Sequence, residues 1–112
     1  MLPTATKPKA SIPISDEQAR ELAALCARYR VRRLGLFGSA AKGSFDPAHS
    51  DFDFTVDFDP PEGMNLADQY FGFQEEAAAL LGRSVDLVER CAIRNPYFRQ
   101  ILERDEVVLY GD

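Results

Sequence analysis

Apolar and polar positions alternate with two different periods along this chain, and the change of period outlines its elements. From Ser15 the spacing is helical: Leu22, Leu25, Cys26 and Tyr29 make one apolar stripe. Ser15 and Gln18 read as a capping box, with Asp16 and Glu17 in the first turn. Val31 to Phe37 is β-rich and predicts a buried strand running into Gly38. Breakers at Gly43, Pro47 and Ser50 predict a short helical turn and loop over 39–50. The next strand begins at Asp51 and is stopped by Asp59-Pro60-Pro61-Glu62-Gly63. Asn65 caps a second helix with an expected inner face of Leu66, Tyr70, Phe73, Ala77, Leu80 and Leu81, closed by Gly82. A short strand, Ser84 to Val88, follows. Asn95 then caps a third helix with Pro96 at its first position and Phe98, Ile101 and Leu102 on its packing side; Glu106 to Tyr110 is the last strand. The order α-β-β-α-β-α-β predicts an α+β domain: a small mixed sheet of about four strands covered by helices.

Within the second strand the alternation carries chemistry. Phe52, Phe54, Val56 and Phe58 fall on one side; Asp51, Asp53, Thr55 and Asp57 fall on the other. The apolar side demands a core, so the carboxylates of Asp51 and Asp53 are held roughly 6.5–7 Å apart on the opposite face. Such a pair accepts a hard cation between and beside its oxygens, which suits Mg²⁺. The bland alternative is an exposed strand edge kept soluble by acid. Asp86 interrupts an otherwise apolar strand, where a lone carboxylate is costly to bury. If that strand neighbours the Asp51-x-Asp53 strand, three carboxylates could hold two Mg²⁺ ions; otherwise Asp86 is a surface residue. The Gly38-Ser39 turn can offer free amides and a hydroxyl to phosphate, although many Gly-Ser pairs are simply turns. It is not a Walker A loop, because Lys42 precedes Gly43 instead of following it.

Composition narrows the classes. The 112 residues are 46% hydrophobic and 28% charged, which fits one soluble domain spanning 14–112 after a loosely ordered segment, 1–13. A formal net charge of −5 argues against broad nucleic-acid binding. Arg28, Arg30, Arg32 and Arg33 cluster where the first helix meets the first strand; placement at a helix C-terminus explains them better than an acidic partner. Cys26 and Cys91 form no zinc or disulfide pattern, and no apolar run is long enough for a membrane span, so a reducing cytoplasm is expected. His49 reads as a solvated loop residue and Cys91 as structural, since neither has an identifiable catalytic partner.

The combination of Leu36-Phe37-Gly38-Ser39, Lys42-Gly43, Ser50-Asp51-Phe52-Asp53-Phe54 and Val85-Asp86-Leu87-Val88 resembles the minimal nucleotidyltransferases. These form the MNT branch of the DNA polymerase beta-like superfamily. The resemblance runs from about Val31 through the closing strand. It implies ATP and Mg²⁺ as cosubstrate and cofactor, with AMP transferred to a hydroxyl and pyrophosphate released. It implies that Asp51 and Asp53 bind both metals, that Asp86 assists the hydroxyl-side metal, and that Gly38 and Ser39 hold phosphates. Lys42 stands where the family commonly has Arg, Ala40 where another Arg is frequent, and the stretch from Ser39 to Asp51 is one residue longer than usual. Many members of the branch look like antitoxins encoded beside a HEPN-type ribonuclease toxin, which implies adenylylation of a toxin tyrosine. Two alternatives stand beside that reading. One is an antitoxin that acts by binding alone. The other is an enzyme modifying a small-molecule hydroxyl, although larger relatives of that kind carry extra helical domains.

Overall fold

A computed structural model of the chain describes residues 13–38 and 51–111. Among these residues the elements are α1 (Asp16–Arg28), β1 (Val31–Phe37), β2 (Phe52–Phe58), α2 (Leu66–Leu81), β3 (Val85–Glu89), a short 3₁₀ turn (Arg90–Ala92), α3 (Pro96–Asp105) and β4 (Val107–Tyr110). The strands form one mixed sheet in the order β3-β2-β1-β4. β1 runs antiparallel to both β2 and β4, whereas β2 and β3 are parallel. The expected α+β architecture is what the chain adopts. Most of the segment before residue 14 and the turn over 39–50 lie outside the described residues.

The helix ends follow their local chemistry. Gln18 N–H donates to the Ser15 hydroxyl at 3.1 Å and Ser15 N–H donates to the Gln18 side chain at 3.0 Å, closing the capping box. Asn65 accepts from Asp68 N–H at 2.7 Å. Asn95 accepts from Tyr97 N–H at 2.9 Å, with Pro96 opening the helix behind it. Gly82 ends α2 at φ +70°, a conformation open to glycine at little cost.

α1 and α2 cover one face of the sheet. Leu22 and Cys26 of α1, Phe73 and Ala77 of α2, and Leu34, Leu36, Phe54 and Val56 of the strands are almost wholly excluded from water there. Burying each large side chain among them contributes about 1.5–3 kcal/mol. Burial also pushes the Cys26 thiol up to about 12, so it behaves as an apolar core group. At the helix edge Arg28 donates to both Glu76 oxygens at 2.7 and 2.9 Å, and the Tyr29 hydroxyl donates to Glu76 as well. The Tyr29 hydrogen bond, then the Arg28 guanidinium, hold the Glu76 carboxyl below its ordinary value.

Three expectations need correction, and the polar side of β2 is more covered than its alternation alone indicates. Leu66 is not on the inner face of α2: it is 71% exposed, and Gln69 takes its place at 1%. The buried line runs Gln69-Phe73-Ala77-Leu81, and polar Gln69 belongs there because its amide donates to two carbonyls, Tyr29 and Asp59, at 2.9 Å each. Ile101 is exposed, leaving Leu102 as the buried residue of this short helix. Thr55 lies on the carboxylate side of β2 yet is fully buried, so that face is covered as well. The arginines are not explained by a helix end alone. Arg28 pairs with Glu76, Arg30 with Glu62, Arg32 with Asp59 and Arg33 with Glu106.

Gln69→Leu removes both amide donors while keeping the bulk, leaving two carbonyls short of a partner. Urea unfolding is expected to show a loss of about 1–3 kcal/mol, whereas Leu66→Ala is expected to stay within about 0.5 kcal/mol of the parent.

Candidate active site

Register decides which side chains share the face opposite the helices. In the antiparallel pair Phe37 lies across from Asp53, Gly35 from Thr55 and Arg33 from Asp57. In the parallel pair Asp53 lies beside Asp86 and Thr55 beside Val88. Val85 and Leu87 are buried towards the helices while Asp86 is exposed on the other side. Carboxylates from two neighbouring strands therefore stand next to each other. Asp51 immediately precedes β2 and is exposed.

Burial, then the Asp86 and Asp51 carboxylates, push the Asp53 carboxyl above its ordinary value. Negative charge is crowded at Asp53, and a cation relieves it. Among the described residues no three Asp, Glu, His or Cys side chains converge closely enough to hold a metal by themselves. Magnesium fits what is present, because it is usually held by one or two carboxylates and completes its shell with water and substrate phosphate. Asp53 and Asp86 are the residues in place for that, with Asp51 two positions along the same chain segment.

Gly38 follows β1 at φ +75°. A Cβ on it would stand 2.5 Å from Asp53 Oδ2, so both the backbone conformation and the close approach require glycine. Gly38 is thereby held against the Asp53 carboxylate. Ser39, Lys42, Ala40 and His49 lie outside the described residues.

Several residues around this face were missed by sequence reasoning. Glu106, just before β4, has a side chain only 4% exposed. It accepts from Arg90 at 2.8 and 2.9 Å, from Arg33 at 3.1 Å and from the Thr55 hydroxyl. The ring of Phe98 on α3 packs edge-on against Phe37 at 5.5 Å, bringing that helix to the same face. On the helix-covered side, Tyr70, expected on the inner face of α2, donates to the Leu87 carbonyl at 2.6 Å; burial, then Glu89 and Asp86, raise its phenol. A faint signal existed for Thr55, which shares the alternation of Asp53. None existed for pairing Glu106 with Arg33 and Arg90, separated by 73 and 16 residues. Cys91 is exposed on the 3₁₀ turn.

A mixed sheet with a glycine turn at the end of one strand and acids in register on the next two is the architecture of nucleotidyltransferases. The family profile "Nucleotidyltransferase domain" matches residues 20–109. "Putative protein adenylyltransferase MJ1379" of Methanocaldococcus jannaschii is 35% identical over 78 residues, covering 70% of this chain and 76% of that protein. The solved structure of a "putative minimal nucleotidyltransferase" superposes with a TM-score of 0.66 at 27% identity, over 81% of this chain and 88% of that one. A chain from the structure of tri-AMPylated Shewanella oneidensis HEPN toxin in complex with MNT antitoxin matches with a TM-score of 0.58, over 86% of this chain and 71% of that one; at 18% identity the likeness is one of fold. The chain belongs to the nucleotidyltransferase family, in its minimal branch, and its activity class is nucleotidyl transfer. No helix among the described residues is long and apolar enough to cross a membrane.

Because the folded state favours protonated Asp53, that contribution to stability is complete below the ordinary Asp range and is lost as pH rises through the raised value. Asp53→Asn is therefore expected to raise the neutral-pH melting temperature of the metal-free protein by a few degrees and to leave it nearly unchanged at about pH 3. Scanning calorimetry at both pH values checks this; a lower neutral-pH melting temperature contradicts it.

Proposed function

We propose that this chain is a Mg²⁺-dependent protein adenylyltransferase of the cytoplasm that moves AMP from ATP to a tyrosine hydroxyl of a HEPN-domain toxin, and so acts as its antitoxin. The observation that carries the reading is the register that sets Asp53 beside Asp86, with Gly38 pressed against Asp53. The relative named as a protein adenylyltransferase supports the acceptor class. The fold shared with a chain from a complex containing an AMPylated HEPN toxin supports the partner.

Each residue then has a physical role. Asp51, Asp53 and Asp86 would hold two Mg²⁺ ions, with Asp86 serving the one nearer the acceptor hydroxyl. Gly38 and Ser39 hold the phosphates by backbone amides and hydroxyl, and Lys42 adds a point charge without the planar fork of Arg. Bound Mg²⁺ supplies charge neutralisation along the triphosphate and makes the acceptor hydroxyl more acidic. The acceptor oxygen forms a bond to the α-phosphorus while the bond to the bridging oxygen of the β-phosphate breaks. The phenolic proton passes to water and pyrophosphate leaves. Catalysis of this kind is largely positioning and electrostatics.

Mixing the protein with a HEPN toxin, ATP and Mg²⁺ is expected to add one or more AMP masses to the toxin. Asp53→Ala or Asp86→Ala is expected to cut that rate by at least about a hundredfold. Neutralisation that persists in Asp53→Ala with no mass change would replace this reading with occlusion by binding. Cys91→Ser and His49→Ala are expected to transfer AMP within about twofold of the parent, since neither side chain is needed to activate a metal-assisted hydroxyl.

A further inference from the structure

Asp53 and Asp86 repel each other across the two strands that must hold them together, and the backbone bonds of the β2–β3 pairing oppose that repulsion. On the same face, two residues along β2, Thr55 donates its hydroxyl to Glu106. One residue past the end of β3, Arg90 donates to both oxygens of that same carboxylate at 2.8 and 2.9 Å. Arg33 of β1 joins at 3.1 Å. A single carboxylate, 4% exposed, thus ties together β1, β2, the exit of β3 and the entry of β4. Burying a glutamate in this way is expensive unless every oxygen is satisfied, and apolar packing would hold the sheet at least as well. Gly35 lies beneath the carboxylate: a Cβ there would meet both Glu106 and the Thr55 hydroxyl, the latter at 2.6 Å. Space has been kept clear for the cluster.

We infer that Glu106, through Thr55 and Arg90, is a positioning residue that fixes the spacing of β2 and β3 and thereby sets the affinity of the Asp53–Asp86 site for divalent cations. The inference rests on the metal-dependent reading above. Residues that orient a ligand-bearing element commonly govern metal affinity without touching the metal. Thr55 is the informative member of the cluster. It carries no charge, so an effect of its loss on metal binding reports geometry and not electrostatics.

Mn²⁺ alone is titrated into the full chain at neutral pH and followed by the paramagnetic resonance of the free ion. Thr55→Val, which keeps the shape and removes the donor, is expected to weaken binding about tenfold, and Glu106→Gln by about tenfold or more. Leu22→Val, which loosens the core on the helix-covered face, lowers the melting temperature and is expected to leave Mn²⁺ affinity within about twofold. Asp53→Asn is expected to remove the binding. Thr55→Val binding like the parent, or Leu22→Val losing as much as Thr55→Val, overturns the positioning role while leaving the metal site standing. If Glu106→Gln fails to fold, Thr55→Val still decides the question. Equal Mn²⁺ binding by the parent and Asp53→Asn removes the metal-dependent reading itself, and the positioning role falls with it.

Discussion

Two like charges side by side on adjacent parallel strands are the constraint around which this small domain is arranged. Hydrogen bonding of β2 to β3 in the register Asp53 to Asp86 makes them neighbours, and nothing in that pairing is favourable for the carboxylates. A parallel pair also needs a crossover, which here is α2. The cost is met from the opposite face. Phe52, Phe54 and Val56 of β2, with Val85 and Leu87 of β3, are buried under the helices and lock the strands in one register. A slip by one residue would bury the acids and expose the phenylalanines. The apolar face of the sheet therefore specifies the charged one.

Tension between stability and chemistry is local in this arrangement. At Asp53, burial and two neighbouring carboxylates favour the protonated acid, which is the form least useful for holding a cation. Crowding of this sort marks functional sites more often than structural ones. Two other charged clusters among the described residues are matched. The Arg28–Tyr29–Glu76 group joins the two covering helices, and the Glu106 cluster satisfies its carboxylate from three directions. The first is largely exposed and contributes little to stability. The second is buried and sits on the candidate site's own face.

Most of the fold was legible because the chain states it locally. Ser15 with Gln18, Asn65, Gly82, and Asn95 with Pro96 each mark a helix end by their own hydrogen-bonding capacity, and all of these caps are present. Alternation along 52–58 named the two faces of β2 in advance. What it could not show was cover on the polar face, because that depends on Glu106 arriving from 51 residues away. Gln69 defeated the helical pattern for a related reason. A polar residue on a buried line is predicted only by knowing that the carbonyls of Tyr29 and Asp59 end up together. Leu66 and Ile101 show the converse, since helical spacing gives a stripe but not how far the sheet extends beneath it.

Gly35 has the widest implication of the features at the sheet's centre. It occupies the middle of β1 between Thr55 on one side and Val108 on the other, with Glu106 resting on it. Any side chain at that point displaces the glutamate, and any shorter residue at 106 leaves a hollow over the glycine. Alanine or serine at 35 would force the Glu106 carboxylate and the Thr55 hydroxyl aside and loosen the hydrogen bonds that meet there.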